Sequence, residues 1–261
     1  MGLSPWLASF AGRPGLAPLI DHTLLRPEAT GADIERLCDE ARRFGFYAVC
    51  VNGQWVGPAV ERLRGSSVLV AAVVGFPLGA SGLVAKAAET RLAVADGAAE
   101  VDMMISLGSA KAGAWEAVED EIAAVVEAAR GRVVKVILEA AALDPEEIER
   151  GCQAALDAEA DFVKTSTGFH PAGGATVDAV ARIRRVVGER LGVKASGGIR
   201  TPEQALRLLA AGADRIGTSA AAGWGRVLGP EAPPLEVLLA GLTADRAFRT
   251  VQDQGPASSG P

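Results

Sequence analysis

Residues 68–105 read VLVAAVVGFPLGASGLVAKAAETRLAVADGAAEVDMMI. The stretch opens on an apolar, β-branched run at 68–75 and passes through turn residues into an Ala/Leu-rich helical pattern at 82–96. A second apolar run follows at 99–105. A strand, a crossover helix and a second strand of this length form one parallel βαβ unit. Both strands are almost wholly apolar, as strands covered on two faces must be.

The same alternation extends in both directions. Strands are predicted at 18–22, 46–51, 68–75, 99–105, 132–139, 161–166, 192–196 and 214–217, and helices near 31–44, 53–64, 82–96, 110–130, 144–159, 174–190, 201–211 and 219–226. An open doubly wound sheet uses this alternation too. Eight units, however, match the barrel count, and no G-x-G-x-x-G fingerprint follows the first strand. The expected fold is therefore a (β/α)8 TIM barrel with a short N-terminal helical extension within 1–17. Residues 1–251 form the single domain, with an extra helix at 235–248, and 252–261 (QDQGPASSGP from 252) have the composition of a disordered tail.

Composition narrows the function. The 261 residues carry a net charge of −6 and no cationic or basic-aromatic cluster, which argues against a nucleic-acid partner. No window approaches the ~20 apolar residues of a membrane span, and the N-terminus lacks the pattern of a signal peptide. Cys38, Cys50 and Cys152 show neither metal nor redox spacing, so a reduced, cytoplasmic setting is expected.

Lysine usage gives the first chemical clue. Five lysines stand among 26 basic residues, the remainder being arginine, which is no amine nucleophile. Lys86 and Lys111 fall on helical stretches and call for nothing beyond solvation. Lys135, Lys164 and Lys194 fall inside strands, where a cation is costly unless paired or functional. Lys135, near the start of its strand and on one face with Glu139, reads as a buried ion pair. Lys164 and Lys194 lie near the carboxyl ends of the sixth and seventh strands, the rim on which barrel active sites are built. Two facing ammonium groups disfavour each other's charge, and the neutral amine that results attacks a carbonyl. Lys164 is read as that nucleophile.

Asp102, set in the fourth strand, is the natural proton carrier beside two lysines, and Asp21 in the first strand is a weaker candidate for the same relay. Gly/Ser/Thr-rich turns follow strands six to eight: Ser166-Thr167-Gly168, Ser196-Gly197-Gly198 and Gly217-Thr218-Ser219. Glycines there let backbone amides close on an anion, so a phosphorylated ligand is expected. His22, His170 and Cys50 read as structural.

The motifs LIDHTLL (19–25), AVCVN (48–52), VVGFPLG (73–79), EVDMMI (100–105), KVILE (135–139), DFVKTSTGF (161–169), VKASGGIR (193–200) and RIGTSA (215–220), in this order, resemble the deoxyribose-phosphate aldolases. The resemblance implies reversible cleavage of 2-deoxy-D-ribose 5-phosphate to D-glyceraldehyde 3-phosphate and acetaldehyde by a class I, Schiff-base mechanism, with no metal or organic cofactor. It implies Lys164 as the Schiff-base lysine, Lys194 as its partner and Asp102 as the relay aspartate. Gly168, Gly197, Gly198 and Ser219 match phosphate-loop positions. The chain departs from many members at Ala220, where a second serine is usual, and at Ala140-Ala141 after KVILE. It also departs in having Tyr47 as its one tyrosine, with none at the C-terminus. The residues read without the resemblance also admit a transaldolase-like Schiff-base enzyme or a non-catalytic phosphometabolite-binding barrel. A homodimer is the expected assembly.

Overall fold

A computed structural model describes residues 5–10 and 12–242. Eight parallel strands close on themselves in chain order, with β1 paired to both β2 and β8. They are β1 (Ile20–Leu24), β2 (Ala48–Val51), β3 (Leu69–Val74), β4 (Glu100–Met104), β5 (Val133–Ile137), β6 (Phe162–Lys164), β7 (Gly192–Ser196) and β8 (Arg215–Thr218). A short helix, α1 (Pro5–Ala8), precedes the barrel. The outer layer comprises α2 (Gly31–Phe44), α3 (Val56–Arg62), α4 (Leu83–Ala95), α5 (Leu107–Lys111), α6 (Trp115–Ala129), α7 (Pro145–Asp157), α8 (Val177–Val187) and α9 (Pro202–Ala210). The (β/α)8 reading of the sequence is correct.

Local chemistry fixes the helix starts. Thr30 with Asp33, Asp144 with Glu147 and Thr201 with Gln204 form reciprocal capping boxes at α2, α7 and α9. Proline leads α7 and α9 at positions that have no intrahelical N–H bond to lose. The apolar faces so oriented pack with the outward strand residues into one continuous core.

Three predicted helices differ from those observed. The pattern at 53–64 begins as a 3-10 turn, Gly53–Trp55, before α3. The pattern at 110–130 is two helices, α5 and α6, broken where Gly113 takes a φ of +72°. The eighth helix is replaced by two 3-10 turns, Ala221–Gly223 and Gly225–Val227, because Gly223 and Gly225 interrupt any longer run. The first strand begins at Ile20, since Pro18 belongs to a 3-10 turn over Ala17–Leu19. Of the extra helix expected at 235–248, residues 235–242 are helical; its remainder and the tail from 252 lie outside the described residues.

The barrel interior is two-sided. Cys50, Ala71 and Val73, from β2 and β3, make an apolar wall with Leu25 and Phe76. Facing it, β1 and β4–β8 send in Asp21, Glu100, Asp102, Lys135, Lys164, Lys194 and Arg215, all fully or almost fully buried.

Candidate active site

Asp102 is the hub of that charged half. Its Oδ2 lies 2.8 Å from Lys164 Nζ and 2.7 Å from Lys194 Nζ, while its Oδ1 lies 2.8 Å from Lys135 Nζ. Cys50 Sγ donates to Oδ2 at 3.9 Å. Burial opposes the carboxylate, but the positive charges of Lys135, Lys164 and Lys194 outweigh it and hold Asp102 well below the usual carboxylate range. Lys194 also meets Asp21 at 2.5 Å. Burial pulls its amine down, yet Asp102 and Asp21 together lift it above the ordinary lysine value.

The expected cluster of Lys164, Lys194, Asp102 and Asp21 is therefore assembled, with two changes. The lysines do not simply repel each other, because one carboxylate oxygen stands between them, and Lys194 is the one locked in its charged form. Asp21 is the second residue of β1, deep in the barrel, bound to Lys194 and to Arg215. Lys135 is a buried ion-pair lysine as expected, but its partners are Glu100, at 2.5 Å, and Asp102. Glu139 lies past the end of β5 with a φ of +57°, which breaks the strand alternation. Its carboxylate instead accepts hydrogen bonds from the backbone N–H and hydroxyl of Thr167.

A cavity of about 460 Å³ opens at the carboxyl ends of β1, β6, β7 and β8. Among the described residues Lys164 is the lysine on its wall; Asp102 and Lys194 lie behind it. The last residue of β6, Lys164 is 2 % exposed, against 0 % for Lys194 and Asp102. Its Nζ stands 6.0 Å from the centre of the Phe76 ring, which packs edge-on against Phe169 at 5.3 Å.

Glycine turns also line the cavity. Gly168, Gly197, Gly198 and Ser219 all line the cavity. Their backbone N–H groups donate to no other group among the described residues. Gly197 has a φ of +89°, and a Cβ there would stand 3.2 Å from Gly168 Cα and 3.1 Å from Gly174 Cα. Gly217 makes room of another kind: a Cβ on it would stand 3.0 Å from Lys194 Cε. At the mouth, Arg26 and Arg200 add positive charge. Arg26 is tied to Asp33 at 2.8 Å, whereas the backbone of Arg200 is pinned by Gln204 and by the Trp224 indole at 3.0 Å.

Of the residues read as structural, His22 points out of the barrel to Glu40 at 2.7 Å, and His170 Nδ1 accepts the N–H of Ala172. Cys50 is buried against Asp102, and burial followed by that carboxylate raises its thiol. Lys86 contradicts its reading as a solvated helix lysine: it is fully buried and pairs with Glu121 at 2.6 Å. Glu100, Arg200 and Arg215 were missed. For Glu100 the signal was present, since strand alternation puts it on the same face as Asp102.

The model of the DeoC/LacD family aldolases matches residues 16–232. The chain belongs to that family. It is 53% identical over 205 residues to the deoxyribose-phosphate aldolase of Geobacillus sp. (strain WCH70), covering 78% of this chain and 92% of that protein. The deoxyribose-phosphate aldolase of Mycolicibacterium paratuberculosis is 55% identical over 211 residues, covering 79% and 94% of the two chains. Among solved structures, the tetrameric deoxyribose phosphate aldolase of Aeropyrum pernix superposes with a TM-score of 0.74 at 37% identity. That match covers 79% of this chain and 87% of the other. This DeoC/LacD aldolase has no helix among its described residues long and apolar enough to cross a membrane.

Proposed function

We propose that the chain is a deoxyribose-phosphate aldolase in which Lys164 forms the Schiff base with 2-deoxy-D-ribose 5-phosphate. One observation carries the reading. Among the described residues Lys164 is the lysine that reaches a cavity also lined by unpaired backbone N–H groups, while its amine rests on the buried Asp102 carboxylate. A carbonyl bound at one end and a phosphate at the other fit that arrangement.

The neutral Lys164 amine attacks the C1 aldehyde of the open-chain sugar. The carbinolamine takes a proton on its hydroxyl and loses water, leaving an iminium. The C3 hydroxyl then gives up its proton through water to Asp102, which the Lys194 cation holds in place, C3 becomes an aldehyde, and the C2–C3 electron pair flows into the iminium. Glyceraldehyde 3-phosphate departs. The enamine left on Lys164 is protonated at C2, and water hydrolyses the new iminium to acetaldehyde and free amine, returning the proton that the dehydration consumed. The water released in the first half is consumed in the second, so no co-reactant is needed. Lys194, locked as a cation between Asp102 and Asp21, keeps the relay polarised.

Gly168, Gly197, Gly198 and Ser219 hold the phosphate through their N–H groups, with Arg200 as counter-charge at the mouth. The same reading carries acetaldehyde as the second product, a cytoplasmic setting and a homodimeric assembly, which sedimentation checks. Lys164→Arg tests the chemistry. The variant is expected to fold and to release no acetaldehyde from 2-deoxyribose 5-phosphate; appreciable turnover in it rejects the assignment.

A further inference from the structure

The mechanism uses Lys164, Lys194 and Asp102, yet the salt bridges do not stop there. From Lys194 they run to Asp21 (2.5 Å), then to Arg215 (2.8 Å), then to Glu100 (3.3 Å). They continue to Lys135 (2.5 Å), to Asp102 (2.8 Å) and back to Lys194 (2.7 Å). The path closes. We infer that Arg215 and Glu100 are positioning residues for the reaction: with Asp21, Lys194, Asp102 and Lys135 they complete a ring of alternating charges that leaves Lys164 as the one interior amine without a balancing charge of its own.

Each ion of the ring touches two of opposite sign. Lys135 has Glu100 and Asp102, Lys194 has Asp21 and Asp102, and Arg215 has Asp21 and Glu100. Three cations and three anions cancel. Among the described residues Lys164 has only Asp102, which the ring already engages twice. A protonated Lys164 therefore gives the interior a net charge of +1, and loss of that proton makes it neutral. No other strand alters the count. Inside the barrel β2 contributes the Cys50 thiol, whose burial and whose neighbour Asp102 hold it protonated, and β3 contributes Ala71 and Val73. His22, on β1, faces outward to Glu40.

Charge balance governs protonation only where water is kept out, and the base of the barrel is closed by aromatic rings. The Arg215 guanidinium carbon lies 3.5 Å from the centre of the Tyr47 ring, 4.5 Å from Trp6 and 5.6 Å from Phe162. Trp6, brought across by α1, packs on Tyr47 and Phe162, both at 5.7 Å. Arg215 Nε and Nη2 have no hydrogen-bond partner among the described residues, so its charge is answered by the two carboxylates and by ring faces. At the other end Lys164 is, among the described residues, the member of the charged cluster that lines the cavity. A charge removed at the base is thus felt at the Lys164 amine through a closed path of buried ion pairs that ends on Asp102.

The inference rests on Lys164 being the Schiff-base lysine, and the test separates the two. The acid limb of kcat/KM against pH is compared in wild type, R215M, E100Q, the double variant and R215K. Removing the cation lets the cluster keep its extra proton to higher pH, so the R215M limb moves up by about one pH unit. Removing the anion expels the proton sooner, so the E100Q limb moves down by about one unit. The double variant returns close to wild type, and R215K, with its charge kept, holds the wild-type limb. A structural role gives loss of folded protein without shifts of opposite sign. Limbs that stay put, or move the same way, overturn the ring. Should R215M lose its near-UV circular dichroism, the downward shift of E100Q against an unmoved R215K decides. Borohydride trapping with acetaldehyde is run on each: absence of a Lys164 adduct in wild type overturns the aldolase mechanism, whereas an adduct with unmoved limbs overturns the ring alone.

Discussion

Two buried lysines, Lys86 and Lys164, each lean on a carboxylate, and the surroundings of the two pairs differ in one respect. In the helix layer, Lys86 of α4 pairs with Glu121 of α6, one cation to one anion, and the other Glu121 oxygen takes the N–H of Ser106 at 2.5 Å. The pair clasps the loop after β4, and Lys86 lies directly under Gly75, where a Cβ would stand 2.9 Å from Lys86 Cε. Inside the barrel, Asp102 serves three lysines at once. A balanced pair is inert, because moving its proton creates two uncompensated ions. An oversubscribed carboxylate leaves Lys164 sharing its anion with two other cations, and among the described residues it is the lysine that lines the cavity.

The same substitution at both sites breaks the comparison most sharply. Lys164→Met is expected to lower turnover by on the order of 10⁴-fold or more, with little change in stability, since Asp102 keeps two cations. Lys86→Met strands Glu121 and is expected to cost about 3–5 kcal/mol of unfolding free energy, while the folded fraction keeps its kcat. Urea unfolding with parallel assays distinguishes the two; a stable but inactive K86M would erase the contrast.

The pH range of stability sharpens it further. The folded-state values of Asp21 and Asp102 lie below their unfolded ones: burial opposes this, but the neighbouring cations prevail. Their contribution is present above an unfolded carboxylate value of about 4 and is lost as pH falls toward the folded values. Lys135 and Lys194 are raised, again against burial, by their carboxylates. Theirs is complete below an unfolded lysine value of about 10.4 and is lost as pH rises beyond it. Unfolding free energy is therefore expected to hold a plateau from about pH 5 to 10 and to decline on both sides. A decline beginning near neutrality would show that the interior charges are not paired as described.

The smallest expected effect is at the rim. Ala220 presents a methyl group where its own N–H is already bonded to Thr218 Oγ1 at 3.0 Å. Ala220→Ser adds one hydroxyl beside Ser219 and is expected to lower KM for the phosphorylated sugar about three-fold with kcat unchanged, as one modest hydrogen bond would. Steady-state kinetics on phosphorylated and unphosphorylated deoxyribose read it directly.

The barrel was legible because its strands are apolar runs separated by capped helices, so alternation and count sufficed. Lys164, Lys194 and Asp102 were legible for the opposite reason, as charges where a strand should be apolar. Lys86 was misread because a lysine on a helix carries no mark of burial; the close approach of Gly75, just past the end of β3, and the pairing with Glu121 of α6 decide it. Arg215 sits in a chain rich in arginine and was invisible against that background. Its importance comes from Asp21, 194 residues away in sequence, and from Trp6, Tyr47 and Phe162. Glu139 misled for a local reason, since a left-handed residue ends the alternation that placed it with Lys135.

The most direct measurement of the central claim is covalent. The protein is incubated with acetaldehyde, reduced with borohydride, digested and mapped by mass. The account predicts one ethyl group, on Lys164, and none on Lys135 or Lys194, which lie behind it in the same cluster. An adduct on either of those lysines, or none anywhere, would contradict it.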